Sequence, residues 1–212
     1  MNASIIIEGP AGKLEVVREN AAIDGPLVGH GYYAVVCHPH PLYGGTMDND
    51  VVTTIAGIYR ELGVPTARFN FRGVGASEGG HDNADGEVAD LGAVVEWLQQ
   101  QVSGTRLLIA GYSFGSVVAA AGSYALNAEH LVLLAPPVER YTFAPQGCFG
   151  CPAIVVLGEE DELVGLHYAK SWAEQLSSTV EIITVEEANH FFPGQLATMS
   201  DQLTPVLLNA LR

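Results

Sequence analysis

The chain of 212 residues predicts an α/β fold: a mostly parallel sheet with helices on both faces and an antiparallel hairpin at the N-terminus. Three observations carry this expectation. Short apolar runs alternate with stretches of helical periodicity, the pattern of repeated β-α units. Runs such as TRLLIA (105–110) and AIVVLG (153–158) are apolar throughout, as in strands covered on both faces. Hydrophobic residues make up 48% and charged residues 16%, enough to fill a core, and the length suits a single domain over 1–212.

The elements follow in order. SIIIEG (4–9) and KLEVVRE (13–19), joined by PAG, read as the hairpin. YYAVVCH (32–38) is a compact strand of β-branched and aromatic residues. Residues 48–62 place Val51, Val52, Ile55, Ile58, Tyr59 and Leu62 at helical spacing, and Gly63 ends that helix. PTARFNF (65–71) is the next strand, followed by a glycine-rich loop (73–86). A helix over 87–102 gathers Val88, Leu91, Val94, Val95, Leu98 and Val102 on one face, with Asp85 as N-cap and Glu87 in its first turn. Strand 105–110 leads into helix 114–126. Strands 130–135, 152–158 and 180–186 follow, with helix 165–176 between the last two. A helix over 192–211 closes the chain, bent near Pro205.

Composition excludes several classes of partner. The formal net charge is −15, and Lys13 and Lys170 are the only lysines. Such a surface repels phosphate backbones and anionic lipid, so neither nucleic acid nor a membrane surface is expected as a partner. No apolar run approaches the ~20 residues that span a bilayer. The N-terminus has neither a basic start nor an apolar stretch of signal-peptide length, so the expected location is cytoplasmic. Cys148 and Cys151 form one C-x-x-C, and Cys37 lies elsewhere. A structural zinc site needs a second pair, and a redox pair opens a helix, whereas Pro152 leads here into a strand. They are read as loop cysteines.

In a parallel sheet of this kind ligands sit beyond the carboxyl ends of the strands. The segments after the strands collect His38, His40, Ser113, Asp161 and His190 with many glycines. One of them, Gly111-Tyr112-Ser113-Phe114-Gly115, joins an apolar strand directly to an apolar helix. A serine hydroxyl is a poor nucleophile unless a base takes its proton and its oxygen is held exposed. A sharp strand-to-helix turn holds it so, with small residues at 111 and 115 because strand and helix crowd there. The following helix aims its first amides at the same place. A second G-x-S-x-G, around Ser77, has loop on its C-terminal side, and Ser77 is expected to be a flexible loop residue beside the site. The serine needs a base, and the base an orienting carboxylate. His190 alone among the seven histidines follows a strand near the C-terminus, and Asp161 follows AIVVLGEE in the loop before a helix. The H-x-H of His38 and His40 is not completed by other ligands at metal-binding spacing. Arg72 and Asp90 are expected to brace loop and helix.

The order Ser113, Asp161, His190 on successive strand ends resembles the α/β-hydrolase family, and nearly the whole chain takes part in the likeness. HPHPLYGGTMDN (38–49) resembles the oxyanion loop of small dienelactone-hydrolase-like esterases. RFNFRGVGASEG (68–79) resembles the segment before the elbow, GEEDELV (158–164) the carboxylate turn, and ANHFF (188–192) the histidine loop. The resemblance implies an oxyanion hole with one donor at the Phe114 amide and a second in the loop after YYAVVC. Pro39 and Pro41 have no N–H. Leu42 is favoured for the second donor, with His40 next and Tyr43 third.

Family members that act on bulky lipids insert a lid after the strand here reading HLVLLA. Residues 139–152 leave no room for a helical lid domain, so an open site and small, soluble acyl substrates are expected. The implied activity is a serine esterase working through an acyl-enzyme, with no metal or organic cofactor. A thioesterase, lactonase or short-peptide hydrolase would use the same three residues. A non-catalytic ligand-binding scaffold would predict a broken triad. None of these motifs bears on oligomeric state.

Overall fold

A computed structural model describes residues 4–102, 104–143 and 147–212. Among them, eight strands form one sheet in the order β1-β2-β4-β3-β5-β6-β7-β8. The strands are β1 (Ile5–Gly9), β2 (Gly12–Glu19), β3 (Tyr32–Cys37), β4 (Thr66–Phe69), β5 (Arg106–Tyr112), β6 (His130–Leu134), β7 (Ala153–Gly158) and β8 (Val180–Val185). β1 pairs antiparallel with β2, and β2 antiparallel with β4. From β4 through β8 every pairing is parallel. The α/β fold class, its N-terminal hairpin included, stands as read from the sequence.

The helices are α1 (Asp50–Glu61), α2 (Asp85–Gln101), α3 (Phe114–Ala125), α4 (Leu166–Glu174) and α5 (Leu196–Leu211). Period-2 alternation decides which core each strand residue enters. In β3, Tyr33, Val35 and Cys37 enter the core shared with α2, α3 and α4, while Tyr32, Ala34 and Val36 enter the core shared with α1 and α5. β5 and β7 alternate likewise, with Ile109 and Val155 on the first face and Ala110 and Val156 on the second. Both faces being covered is the physical reason these strands are apolar without interruption.

Helix boundaries differ from the sequence reading where tertiary contacts intervene. α1 ends as expected: Gly63 has φ 91° and its N–H reaches Arg60 O at 3.0 Å, while Val64 N–H reaches Tyr59 O at 2.9 Å, a Schellman closure. α2 does not start on Asp85 as N-cap. Ala84 occupies the cap with φ 86°, and Glu87 closes it by accepting from Ala84 N–H at 2.9 Å. Val102 lies past the helix end and is exposed. α5 begins at Leu196 because Phe192 turns into the core at φ 54°. Pro205 lies inside α5, which continues to Leu211.

Candidate active site

The strand order reverses between β3 and β5, which lie side by side with Cys37 opposite Gly111. A crevice opens at such a switch point, beyond the carboxyl ends of the strands. Ser113 stands there, between β5 and α3, at φ 52° and ψ −120°, a backbone region that side chains resist by a few kcal/mol. Its neighbours hold it. Ser113 N–H donates to Leu134 O at 2.9 Å, and Ser116 Oγ donates to Ser113 O. A β-carbon on Gly111 would overlap the Gly115 carbonyl, and one on Gly115 would overlap the Cys37 and His38 carbonyls. Glycine at both positions lets strand, turn and helix close on each other.

The structure brings the three distant side chains together. His190 Nε2 lies 2.9 Å from Ser113 Oγ, and His190 Nδ1 lies 2.9 Å from Asp161 Oδ2. The second Asp161 oxygen accepts from Leu163 N–H at 2.9 Å and Val164 N–H at 2.8 Å. Asp161 and His190 are nearly fully buried. Three contacts that sequence reasoning missed place the imidazole. Tyr112 Oη donates to His190 O at 2.8 Å, Glu162 Oε2 accepts from His190 N–H at 3.4 Å, and Glu160 N–H donates to Ala188 O at 2.9 Å. Burial, then the charges of Asp161 and Glu162, push the Tyr112 phenol up, so it remains a donor. Tyr112 is the variable residue before the serine in the elbow, so the motif gave no signal for it.

Leu42 does not fit the role of second oxyanion donor. Its N–H donates to His40 Nδ1 at 3.2 Å, because His40 caps the 3₁₀ turn Pro41–Tyr43 with its ring. The Tyr43 amide donates to His40 O at 3.1 Å. Among the described residues no hydrogen bond uses the His40 N–H or the Phe114 N–H, and His40 lines the cleft over Ser113 whereas Leu42 does not. The cleft has a volume of about 420 Å³ and is also walled by Tyr43, Asn49, Leu163 and Phe191. A larger groove of about 630 Å³, lined by Glu8, Pro10, Gly92 and Asn127 among others, contains neither a nucleophile nor a histidine.

His38, Ser77, Arg72 and Asp90 have structural partners. His38 is buried, with Nδ1 2.6 Å from Pro39 O and Nε2 accepting from Phe71 N–H at 3.0 Å. Burial pushes its pKa down to about 4, against smaller opposing effects of the Pro39 carbonyl and Glu87, so both bonds are made by the neutral ring. Ser77 is not a flexible loop residue. It is buried, donates to Asn70 O at 2.7 Å and accepts from Glu15 N–H at 2.9 Å, pinning the loop to β2. Asp90 grips Arg72 through both oxygens, at 2.8 to 3.2 Å, and takes its backbone N–H at 3.0 Å. Cys37, Cys148 and Cys151 are free thiols, and burial raises Cys151 to about 11. Among the described residues no group of three or more His, Cys, Asp or Glu side chains is arranged to hold a metal ion, and no helix is long and apolar enough to cross a membrane.

Comparison with known proteins agrees with this architecture. No protein-family model matches the chain. An α/β serine hydrolase homologue from Coxiella burnetii superposes with a TM-score of 0.91 at 40% identity, over 98% of both chains. An α/β serine hydrolase without a lid from Xanthomonas campestris superposes with a TM-score of 0.90 at 36% identity, over 96% of this chain and 92% of that one. An uncharacterised protein of Rickettsia prowazekii is 32% identical over 214 residues, covering 96% of this chain and 88% of the relative. The chain belongs to the α/β serine hydrolases, in their lidless branch. Among the described residues of 135–152, where lidded members carry their insertion, there is no helix.

Proposed function

We propose that the protein hydrolyses small, neutral acyl esters through an acyl-enzyme on Ser113. The observation that carries this reading is the unbroken hydrogen-bonded line from Ser113 Oγ through His190 to Asp161, with both spacings at 2.9 Å. His190 Nε2 takes the hydroxyl proton as Oγ bonds to the ester carbonyl carbon. Asp161 holds the ring by Nδ1–H and stabilises its cationic form. The Phe114 and His40 amides receive the oxyanion, and one such donor is worth about 10²–10³ in rate. His190 then protonates the departing alcohol as the carbon–oxygen bond breaks. A water then gives a proton to His190 as its oxygen bonds to the acyl carbon, and His190 returns that proton to Ser113 Oγ as the carbon–Oγ bond breaks, releasing the acid and restoring the Ser113 hydroxyl.

The surroundings support the substrate class. Tyr43 is 85% exposed and Phe191 60%, and with Leu163 they give the cleft an apolar rim. A net charge of −15 disfavours anionic substrates. The test uses p-nitrophenyl acetate and a fluorophosphonate probe. The protein is expected to turn over the ester and take the label, and Ser113→Ala to lose at least about 10⁴-fold in kcat and all labelling while keeping its unfolding midpoint. Turnover that persists in a folded Ser113→Ala protein overturns the assignment. A panel of thioester, lactone and anilide substrates ranks the acyl classes.

A further inference from the structure

A second histidine–carboxylate pair lies next to the elbow, outside the line just described. His81 Nδ1 is 2.8 Å from Glu87 Oε1, and the Glu87 side chain is fully buried. Glu87 also accepts from Asp82 N–H and Ala84 N–H, both at 2.9 Å. Burial acts against its charge, but these backbone donors and His81 outweigh it and hold its carboxyl below the usual carboxylate range. With its side chain closed off from solvent, the ion is held by these hydrogen bonds, which lock the loop. That loop carries two consecutive non-glycine residues in the left-handed region, Asn83 at φ 52° and Ala84 at φ 86°. Conformations of this kind persist only where their surroundings over-determine them.

The loop delivers the His81 ring to one place. Its centroid lies 4.8 Å from the His40 ring and 5.3 Å, edge-on, from the Phe114 ring, and the His40 and Phe114 rings are 4.9 Å apart. The three rings therefore form a closed triangle. Two of its corners belong to the residues whose amides are the oxyanion donors of the reading above. The third is tied to a buried carboxylate and to α2.

We propose that His81, anchored by Glu87, is a positioning residue that sets the separation of the His40 and Phe114 amides. This rests on the acyl-transfer reading of the site. Among the described residues no hydrogen bond or ring contact joins His81 to Ser113 or His190, so its effect falls on the oxyanion and not on proton transfer. The Phe114 end is already rigid, being buried and part of α3. The His40 end belongs to a loop whose outer residues, Leu42 and Tyr43, are exposed, so His81 is the wall against which that loop rests. Misplacing a transition-state contact by about 1 Å costs about 10²-fold in rate.

The experiment compares the wild-type protein with His81→Ala and His81→Phe on p-nitrophenyl acetate, and measures affinity for an alkyl trifluoromethyl ketone, whose hemiketal adduct carries the oxyanion. His81→Ala is expected to lower kcat by about 10- to 100-fold with KM within about threefold. Ketone affinity should fall in parallel with kcat. His81→Phe, which keeps the ring contacts but not the Glu87 bond, should recover part of both losses. A folded His81→Ala protein with wild-type kcat and ketone affinity overturns the proposal. If His81→Ala does not fold, His81→Phe decides: a lowered kcat with matching loss of ketone affinity supports it, and wild-type values for both overturn it. A wild-type protein without esterase activity or probe labelling would instead overturn the acyl-transfer reading.

Discussion

Tyr112 fills the slot between the first elbow glycine and the serine. Its hydroxyl reaches across to the carbonyl of His190, a residue 78 positions later, at 2.8 Å. The bond is buried and links the strand that leads into Ser113 to the loop that carries His190. Tyr112→Phe removes the donor and leaves that carbonyl unpaired away from water, which costs about 1–2 kcal/mol. The expected result is a lower urea midpoint together with a severalfold loss in kcat, because the His190 loop gains freedom next to Ser113. Crossed measurements of stability and turnover check this. Loss of stability with unchanged kcat would mean that the other contacts of the loop, the buried Phe192 among them, suffice to hold the imidazole.

The elements around the site differ in how tightly they depend on protonation. β6 begins with His130, 2% exposed, whose Nδ1 has no hydrogen-bond partner among the described residues. Burial pushes its pKa down to about 4. In the unfolded chain the ring titrates near the ordinary value of about 6.5. Between these values the unfolded state binds the proton and the native state does not, so stability present above about pH 6.5 is lost as pH falls toward 4. A shift of this size corresponds to about 3 kcal/mol for the one group. His38, held neutral beside the elbow with a pKa of about 4, adds a loss of the same sign over the same window. His130→Leu removes one of the two. Its unfolding free energy should fall less steeply between pH 6.5 and 4 than that of the wild type, as followed by urea denaturation. An unchanged slope would place the acid sensitivity elsewhere.

The parallel sheet, its reversal between β3 and β5 and the lidless connection after β6 together leave Ser113 in an open cleft of about 420 Å³. On the proposed acyl-ester reading, the volume and the exposed Tyr43 and Phe191 side chains set an upper bound on the acyl group that can be kept from water. Each methylene placed against the rim gains up to about 0.8 kcal/mol, and each one beyond it gains nothing. Across p-nitrophenyl esters from acetate upward, kcat/KM should rise over the first few carbons and then level or fall, without a jump at the concentration where the substrate forms micelles. A continued rise to long chains, or activation at a lipid surface, would contradict an open site without a lid.

Periodicity and turn chemistry are local, so the sequence disclosed nearly every strand and helix, the glycine that closes α1, and the three residues that meet at Ser113. Spacing on successive strand ends sufficed for that, since a parallel sheet carries all such ends to one edge. Boundaries set by distant contacts were not legible. Ala84 caps α2 because Glu87 is buried under it, and α5 starts late because Phe192 turns into the core. The same limit explains Leu42 and Ser77. Whether an amide faces a substrate or is taken by the ring of His40, and whether a loop serine is loose or pinned to β2, depends on groups that approach through space. The order of chemistry along the chain was thus readable from residues alone. The aim of each hydrogen bond was decided only by packing, because a donor's partner is chosen by three-dimensional proximity and not by position in the chain.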